Sequence, residues 1–184
     1  MIPANPRYWE AMSLLESAEE IHNAETCRAA VEEMAQLITR DLSESYPLVL
    51  SIMGGAVIFT GRLLPLLHFP LDFDYIHISR YGDHLQGGEF KWLRQPQNVE
   101  GRDVLVLDDI LDEGHTMWAV KEEIMFRGAK SCRSAVFADK LLPQGKPSRA
   151  DYIGLEVPNR YVFGFGMDAR NMWRNLDAVY ALPD

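Results

Sequence analysis

Asp108, Asp109 and Asp112 stand at the end of an aliphatic run, Val104-Leu105-Val106-Leu107, and lead into Glu113-Gly114-His115-Thr116. Carboxylates at this spacing can hold ribose hydroxyls and Mg2+. The glycine and the hydroxyl after them open a stretch of helical period, so backbone N–H groups and Thr116 can hold a phosphate. A site with both halves suits a sugar phosphate better than a bare base or a peptide. For the acidic trio alone, the competing reading is a solvated strand end with Asp112 capping a helix.

Such a site needs a strand to deliver the acids and a helix to receive the phosphate, and the flanking pattern supplies both. Gly101 to Asp109 reads as a buried strand, and Gly114 to Phe126 as a helix closed by Gly128. Upstream, Tyr8 to Ala18 places Trp9, Met12 and Leu15 at helical spacing. A longer helix is predicted from about His22 to Leu42, with Ala30, Met34, Leu37 and Ile38 along one stripe, ended by Tyr46-Pro47. Leu48 to Ile52 reads as a strand, and Ala56 to Leu67 as a helix that faces Phe59, Leu63, Leu64 and Leu67 inward and breaks at Pro65. Leu71 to Ser79 alternates Phe73, Tyr75 and either His77 or Ile78 as a strand. A polar, glycine-rich loop follows over Arg80 to Gly88, then short strands over Glu89 to Gln95 and Ser131 to Ala138. Strands alternating with helices give an α/β fold with a mostly parallel sheet covered on both faces. The last third, with short apolar pieces between prolines, reads as an irregular addition.

The 184 residues suit one domain, and 47% hydrophobic with 24% charged residues is ordinary for a globular core. No stretch reaches the roughly 20 apolar residues of a membrane span, and the N-terminus carries no visible secretory signal. Cys27 and Cys132 stand apart without metal spacing and read as buried thiols of a reducing compartment, so a cytoplasmic location is expected. The net charge of −9 argues against broad nucleic-acid binding, though not against a phosphorylated small molecule.

The strand with Asp108-Asp109-Ile110-Leu111-Asp112-Glu113-Gly114-His115-Thr116 resembles the phosphoribosyl-pyrophosphate (PRPP) signature of type I phosphoribosyltransferases. Further segments resemble the hypoxanthine-guanine branch of that family, in the expected order. Ile52-Met53-Gly54-Gly55 sits at its pyrophosphate-side loop, Ser79-Arg80-Tyr81-Gly82 at its flexible catalytic loop, and Lys140 at its purine-reading lysine. Tyr152 to Pro158, Tyr161 to Asp168 and Arg174-Asn175-Leu176 resemble its base-binding hood. The resemblance implies a type I phosphoribosyltransferase fold in a single domain over 1–184, with a hood made mainly by about 150–184 and part of the N-terminus.

It also implies a reaction that moves phosphoribose from PRPP to hypoxanthine or guanine, with Mg2+ as cofactor, in a homodimer or homotetramer without nucleic-acid or membrane partners. Asp112 would accept the proton of purine N7. Asp108 and Asp109 would face the ribose hydroxyls, directly or through Mg2+, and Glu113, Gly114, His115 and Thr116 would cradle the 5′-phosphate. Met53, Gly54, Gly55, Ser79, Tyr81 and Arg174 would serve the pyrophosphate. Lys140 would donate to the 6-oxo oxygen, Tyr161 would stack on the base, and the Val162 backbone would pair with its edge. Asp168 would be a second metal ligand beside the base. Taken singly, these residues have blander readings: a surface lysine, a core aromatic, and a loop salt bridge for Asp168 and Arg174. Gly164-Phe165-Gly166 lacks the third glycine and the helix of a dinucleotide motif.

Three positions depart from the family pattern. Met53 stands where many members carry lysine, with Arg80 or Arg62 as candidate substitutes; Arg80 is inserted between Ser79 and Tyr81; and His115 reads as a loop residue. Two alternatives stay open, a PRPP-sensing regulatory protein on the same fold and a xanthine-preferring phosphoribosyltransferase.

Overall fold

The computed structural model describes residues 5–80 and 90–183. The expected loop after Arg80, including the site candidate Tyr81, lies outside the described residues, as does the Arg80 side chain.

Helix α1 (Pro6–Ser17) starts at Asn5, whose side chain accepts from the Arg7 N–H. It turns Leu14 inward with Leu15 packed against the same cluster, while Trp9 at the start of the predicted stripe is 64% exposed. Strand β1 (Glu19–His22) follows, a short element with no apolar alternation to announce it. Helix α2 (Ala24–Leu42) is capped by Asn23, which accepts from Thr26 N at 2.9 Å. Cys27, Ala30, Val31, Met34, Ala35, Ile38 and Leu42 form its buried stripe, the spacing a helix needs to bury one face. Leu37 falls off that stripe and is exposed.

The main sheet holds β2 (Leu48–Ile52), β3 (Asp72–Arg80), β4 (Phe90–Arg94), β5 (Asp103–Leu111), β6 (Ser131–Lys140) and β7 (Tyr152–Val157). Its order is β4-β3-β2-β5-β6-β7, with only the β3–β4 edge antiparallel. β2 is buried throughout, as a central strand covered on both faces must be. Helix α3 (Val57–Leu63) gives way to a 3-10 turn, Leu64–Leu66, at Pro65, where the ring removes a backbone donor. It is tied to β2 by a buried hydrogen bond of 2.7 Å between the hydroxyls of Ser51 and Thr60. Helix α4 (His115–Phe126) covers the opposite face with Met117, Val120 and Ile124. On β3 Ile76 and Ile78 point into the α4-side cluster, while Phe73 and Tyr75, on the opposite face by the period-2 alternation, stay exposed. Trp92 of β4 packs against the cluster beneath α4.

Two corrections concern the ends of strands. β5 does not stop at the acidic pair: Ile110 and Leu111 still pair in register with Ala138 and Asp139. β6 likewise runs to Lys140. β7 belongs to the main sheet, so the segment up to Val157 is not part of the addition. That addition is a three-stranded antiparallel sheet, β1-β9-β8, with β8 (Val162–Phe163) and β9 (Val179–Ala181). It has its own apolar cluster, centred on Leu14, Phe163 and Ala169, and Trp173 Nε1 donates to Ala11 O at 2.7 Å. Phe165 stacks on Phe137 of β6 with ring centroids 3.9 Å apart, joining the small sheet to the large one. Among the described residues no helix is long and apolar enough to cross a membrane.

Candidate active site

The C-terminal ends of β5 and β6, the N-terminus of α4 and the hood segment after β8 meet around two adjoining cavities. In open α/β sheets this is the edge where ligands bind. One cavity, of about 320 Å3, is lined by Ile52, Asp108, Asp109, Asp112, Glu113, Gly114 and Thr116, among others. The other, of about 200 Å3, is lined by Asp109, Ile110, Asp112, Lys140, Tyr161, Val162, Met167 and Asp168. Asp109, Ile110 and Asp112 belong to both and form the ridge between them, while Asp108 faces only the first. A larger cavity, about 600 Å3 between α2 and α3, has Arg62 in its wall, with Glu25, Arg28 and Glu32. It contains neither the acid pair nor the α4 terminus, and it places Arg62 away from the Met53 loop's proposed task.

Gly114 caps α4 with φ +81°, a left-handed conformation that glycine adopts without strain. No side chain caps this helix, so its first N–H groups stay open to an anion. His115 is the first helical residue rather than a loop residue, and it lines a neighbouring cavity with Gln144 and Lys146. Asp112 does not act as a cap. Its carboxylate is half exposed and accepts from Lys140 Nζ at 2.8 Å, while the Lys140 side chain is only 12% exposed.

Asp108 is buried at 9% exposure and accepts from the Asp109 N–H, and Asp109 accepts from the Ile110 N–H. Burial pushes the Asp108 carboxyl well above the usual carboxylate range, and the Asp109 charge adds to the push. Burial also raises Asp109, against the lowering by hydrogen bonds from Asp108 and the Ile110 N–H and by the Arg174 charge. Two desolvated carboxylates side by side hold on to a proton until a cation replaces it.

The junction at Asp109 is close. A Cβ on Gly55 would lie 2.0 Å from Asp109 Oδ2, and one on Gly166 would lie 2.1 Å from Gly55 O. Three backbones therefore converge on one carboxylate: the loop after β2, β5 and the hood. In the discounted Gly164-Phe165-Gly166 triplet both glycines have positive φ; Gly166 is needed for this approach, and Gly164 for one to the Ala178 carbonyl. Gly166 and Met167 fall within the hood segment that the resemblance marked, without roles of their own; Met167 lines the base cavity and Gly166 closes on Gly55.

Met53 and Gly54 are joined by a cis peptide, and Met53 N donates to Ile76 O; neither lines the two cavities. Ser79 sits near the end of β3, paired with Lys91, and also stands outside both cavities. Arg174 donates to Gly166 O and pairs with Asp168 at 2.6 Å. The other Asp168 oxygen accepts from the Asn171 N–H, so both of its oxygens are occupied. Tyr161 is half exposed at the mouth of the smaller cavity. Among the described residues no three His, Cys, Asp or Glu side chains gather as a closed metal cage.

A family model described as a phosphoribosyl transferase domain matches residues 17–170. The chain is 32% identical, over 162 residues, to the hypoxanthine-guanine phosphoribosyltransferase of Bacillus subtilis (strain 168), covering 86% of this chain and 89% of that protein. A crystal structure of a hypoxanthine phosphoribosyltransferase from Staphylococcus aureus superposes with a TM-score of 0.84 at 24% identity, over 93% of this chain and 95% of that one, a likeness of fold. A hypoxanthine-guanine-xanthine phosphoribosyltransferase superposes with a TM-score of 0.77 at 30% identity, over 92% and 97%.

Proposed function

The chain belongs to the phosphoribosyl transferase family, and from that premise we propose that it is a purine salvage enzyme. It transfers phosphoribose from PRPP to hypoxanthine or guanine and releases pyrophosphate. The observation that carries this reading is the pair of cavities sharing the Asp109–Asp112 ridge. One is built for a ribose phosphate and the other for a flat base, so the bond between them forms over the ridge.

The residues divide the work by chemistry. The open N–H groups of α4, with Thr116, take the 5′-phosphate. Asp108 and Asp109 accept from the ribose hydroxyls. Lys140 and Asp112 place an ammonium donor and a carboxylate acceptor 2.8 Å apart. A free 6-oxopurine offers the complementary pair on one edge, an oxygen acceptor at C6 beside an N7–H donor. Adenine would turn an amino group toward the Lys140 ammonium and leave a buried donor without its acceptor. As N9 attacks, Asp112 takes the N7 proton, for which hydrogen-bond reach is the first requirement. Tyr161 covers the base face, and Val162 and Met167 complete the pocket. Arg174, whose planar fork suits phosphate oxygens, passes from Asp168 to the departing pyrophosphate, joined by Gly54, Gly55, Ser79 and Tyr81.

Mg2+ fits the donor set. It takes oxygen ligands, and it is usually held by one or two carboxylates plus substrate oxygens rather than by a closed cage. Asp108 and Asp109 would hold it on the ribose side, and Asp168 would join once Arg174 has moved. When bound, the ion neutralises charge developing on pyrophosphate. For assembly, the exposed Val57, Phe73, Tyr75 and Leu93 support a homodimer or homotetramer, which light scattering would measure.

The test offers hypoxanthine, guanine, xanthine and adenine separately with PRPP and Mg2+ and follows nucleotide formation. Turnover of hypoxanthine or guanine should fall by about 10²–10⁴-fold in Asp112→Asn, the usual worth of a general base. PRPP binding without turnover of any base would sink the reading.

A further inference from the structure

A second lysine closes the same end of the sheet as Lys140. Lys146 lies in the connection between β6 and β7, with its side chain only 9% exposed. Its ammonium donates to the Leu111 carbonyl and to the Asp139 carboxylate. Those two residues are the last rung of the β5–β6 ladder. Each immediately precedes a group of the base pocket: Leu111 precedes Asp112, and Asp139 precedes Lys140. A carbonyl at the end of a ladder and a largely covered carboxylate both need a donor, and one side chain serves both. The same segment leans on the phosphate loop, since a Cβ on Gly114 would come within 3.1 Å of Lys146 Cβ and 3.2 Å of Ser148 O.

Backbone hydrogen bonding between β5 and β6 ends at this rung, so nothing in the ladder sets the separation of the next two residues. Side chains tie them instead: Lys140 to Asp112 directly at 2.8 Å, and Lys146 across the two residues that immediately precede them. We propose that Lys146 is a positioning residue: by joining Leu111 to Asp139 it fixes Asp112 and Lys140 at the spacing that a 6-oxopurine edge requires. The proposal rests on the reading of that pair given above. Lys146 does not join the lining of the base cavity; it lines the neighbouring one with Glu113 and His115.

Lys146→Met keeps the alkyl stem and removes the ammonium, at the cost of stranding the Asp139 charge. The double variant Lys146→Met/Asp139→Asn removes that charge as well and guards against simple misfolding. In both variants KM for the base rises about tenfold or more, since sub-ångström misplacement of reacting groups is enough for that. PRPP affinity by calorimetry stays near the wild-type value, and the double variant regains the melting temperature of the parent without regaining its KM. Lys146→Arg, which can still bridge two oxygens, recovers part of the loss. A purely structural lysine predicts the opposite: melting temperature and KM recover together in the double variant, and that result would overturn the proposal. A second readout does not depend on turnover. Reductive methylation followed by mass spectrometry should label Lys140 several-fold faster once the tie is cut, and an unchanged Lys140 rate in the double variant also overturns it. If the unaltered protein turned over no base, the salvage reading would fall, while the labelling arm would still decide whether Lys146 holds Lys140 in place.

Discussion

Strand β5 carries carboxylates at both ends, and their surroundings act on them in opposite directions. At the N-terminal end, Asp103 accepts from Lys130 Nζ at 2.9 Å and from Ser131 Oγ at 2.7 Å, and these bonds hold its carboxyl below the usual range. At the C-terminal end, Asp108 and Asp109 are desolvated beside each other and pushed upward. One end of the strand places a charge where donors satisfy it. The other keeps two acids short of a counter-charge, which costs stability and leaves a strong demand for a cation or a hydroxyl donor. Perturbed carboxylates in a cleft are a sign of function, and here the same strand supplies its own control.

The largest expected effect comes from crowding the functional end. Gly55→Ala would put a methyl group on the Asp109 carboxylate, and overpacking of this kind costs about 1–3 kcal/mol. PRPP affinity by calorimetry and turnover should both collapse, and a variant with near-parental affinity would show that Asp109 is not held by this junction. Next in size, Asp109→Asn should weaken PRPP binding while raising stability at neutral pH by about 1 kcal/mol, the usual trade at a strained functional group. A drop in both would mean that the pair is a structural feature like Asp103.

The two ends also predict opposite pH behaviour. Asp103 titrates lower in the folded chain than in the unfolded one, so its contribution is complete above about pH 4 and is lost as pH falls through the depressed value. For Asp108 and Asp109 the folded values are raised. Their destabilising contribution is absent below about pH 4 and grows as pH climbs toward those raised values. Urea unfolding between pH 3 and pH 8 should therefore lose its acid-side slope in Asp103→Asn and its slope on the other side in Asp108→Asn. Binding of PRPP with Mg2+ should release protons, read as a calorimetric heat that depends on the buffer. The smallest effect is Asp103→Asn at neutral pH, about 1 kcal/mol of stability because its partner Lys130 is well exposed, with kinetic constants unchanged.

Much of the phosphate half was legible along the chain because it is continuous. The aliphatic run, the acids, Gly114 and Thr116 lie within thirteen residues, so local propensity and spacing carry the reading. β1 escaped notice because Glu19-Glu20-Ile21-His22 has no apolar alternation; it exists only because β9 offers an antiparallel partner. The extension of β5 past Asp109 was equally hidden, since it depends on the length of β6. Which face of β3 turns inward was not legible, because Phe73 and Tyr75 on one face are as apolar as Ile76 and Ile78 on the other, and only the packing chose the latter.

By itself the sequence determined the alternating α/β order, the strand that carries the acids, the glycine before α4, and the residue types able to meet phosphate, ribose and base. These follow from period, turn chemistry and charge, all of which act over a few residues. The tertiary structure alone decided that Lys140 meets Asp112 across 28 residues, that Gly55 and Gly166 close on Asp109, and that acids on one strand are lowered at one end and raised at the other. Burial and long-range pairing depend on what packs against a group, and that partner is chosen by the fold, not by the neighbours in the chain.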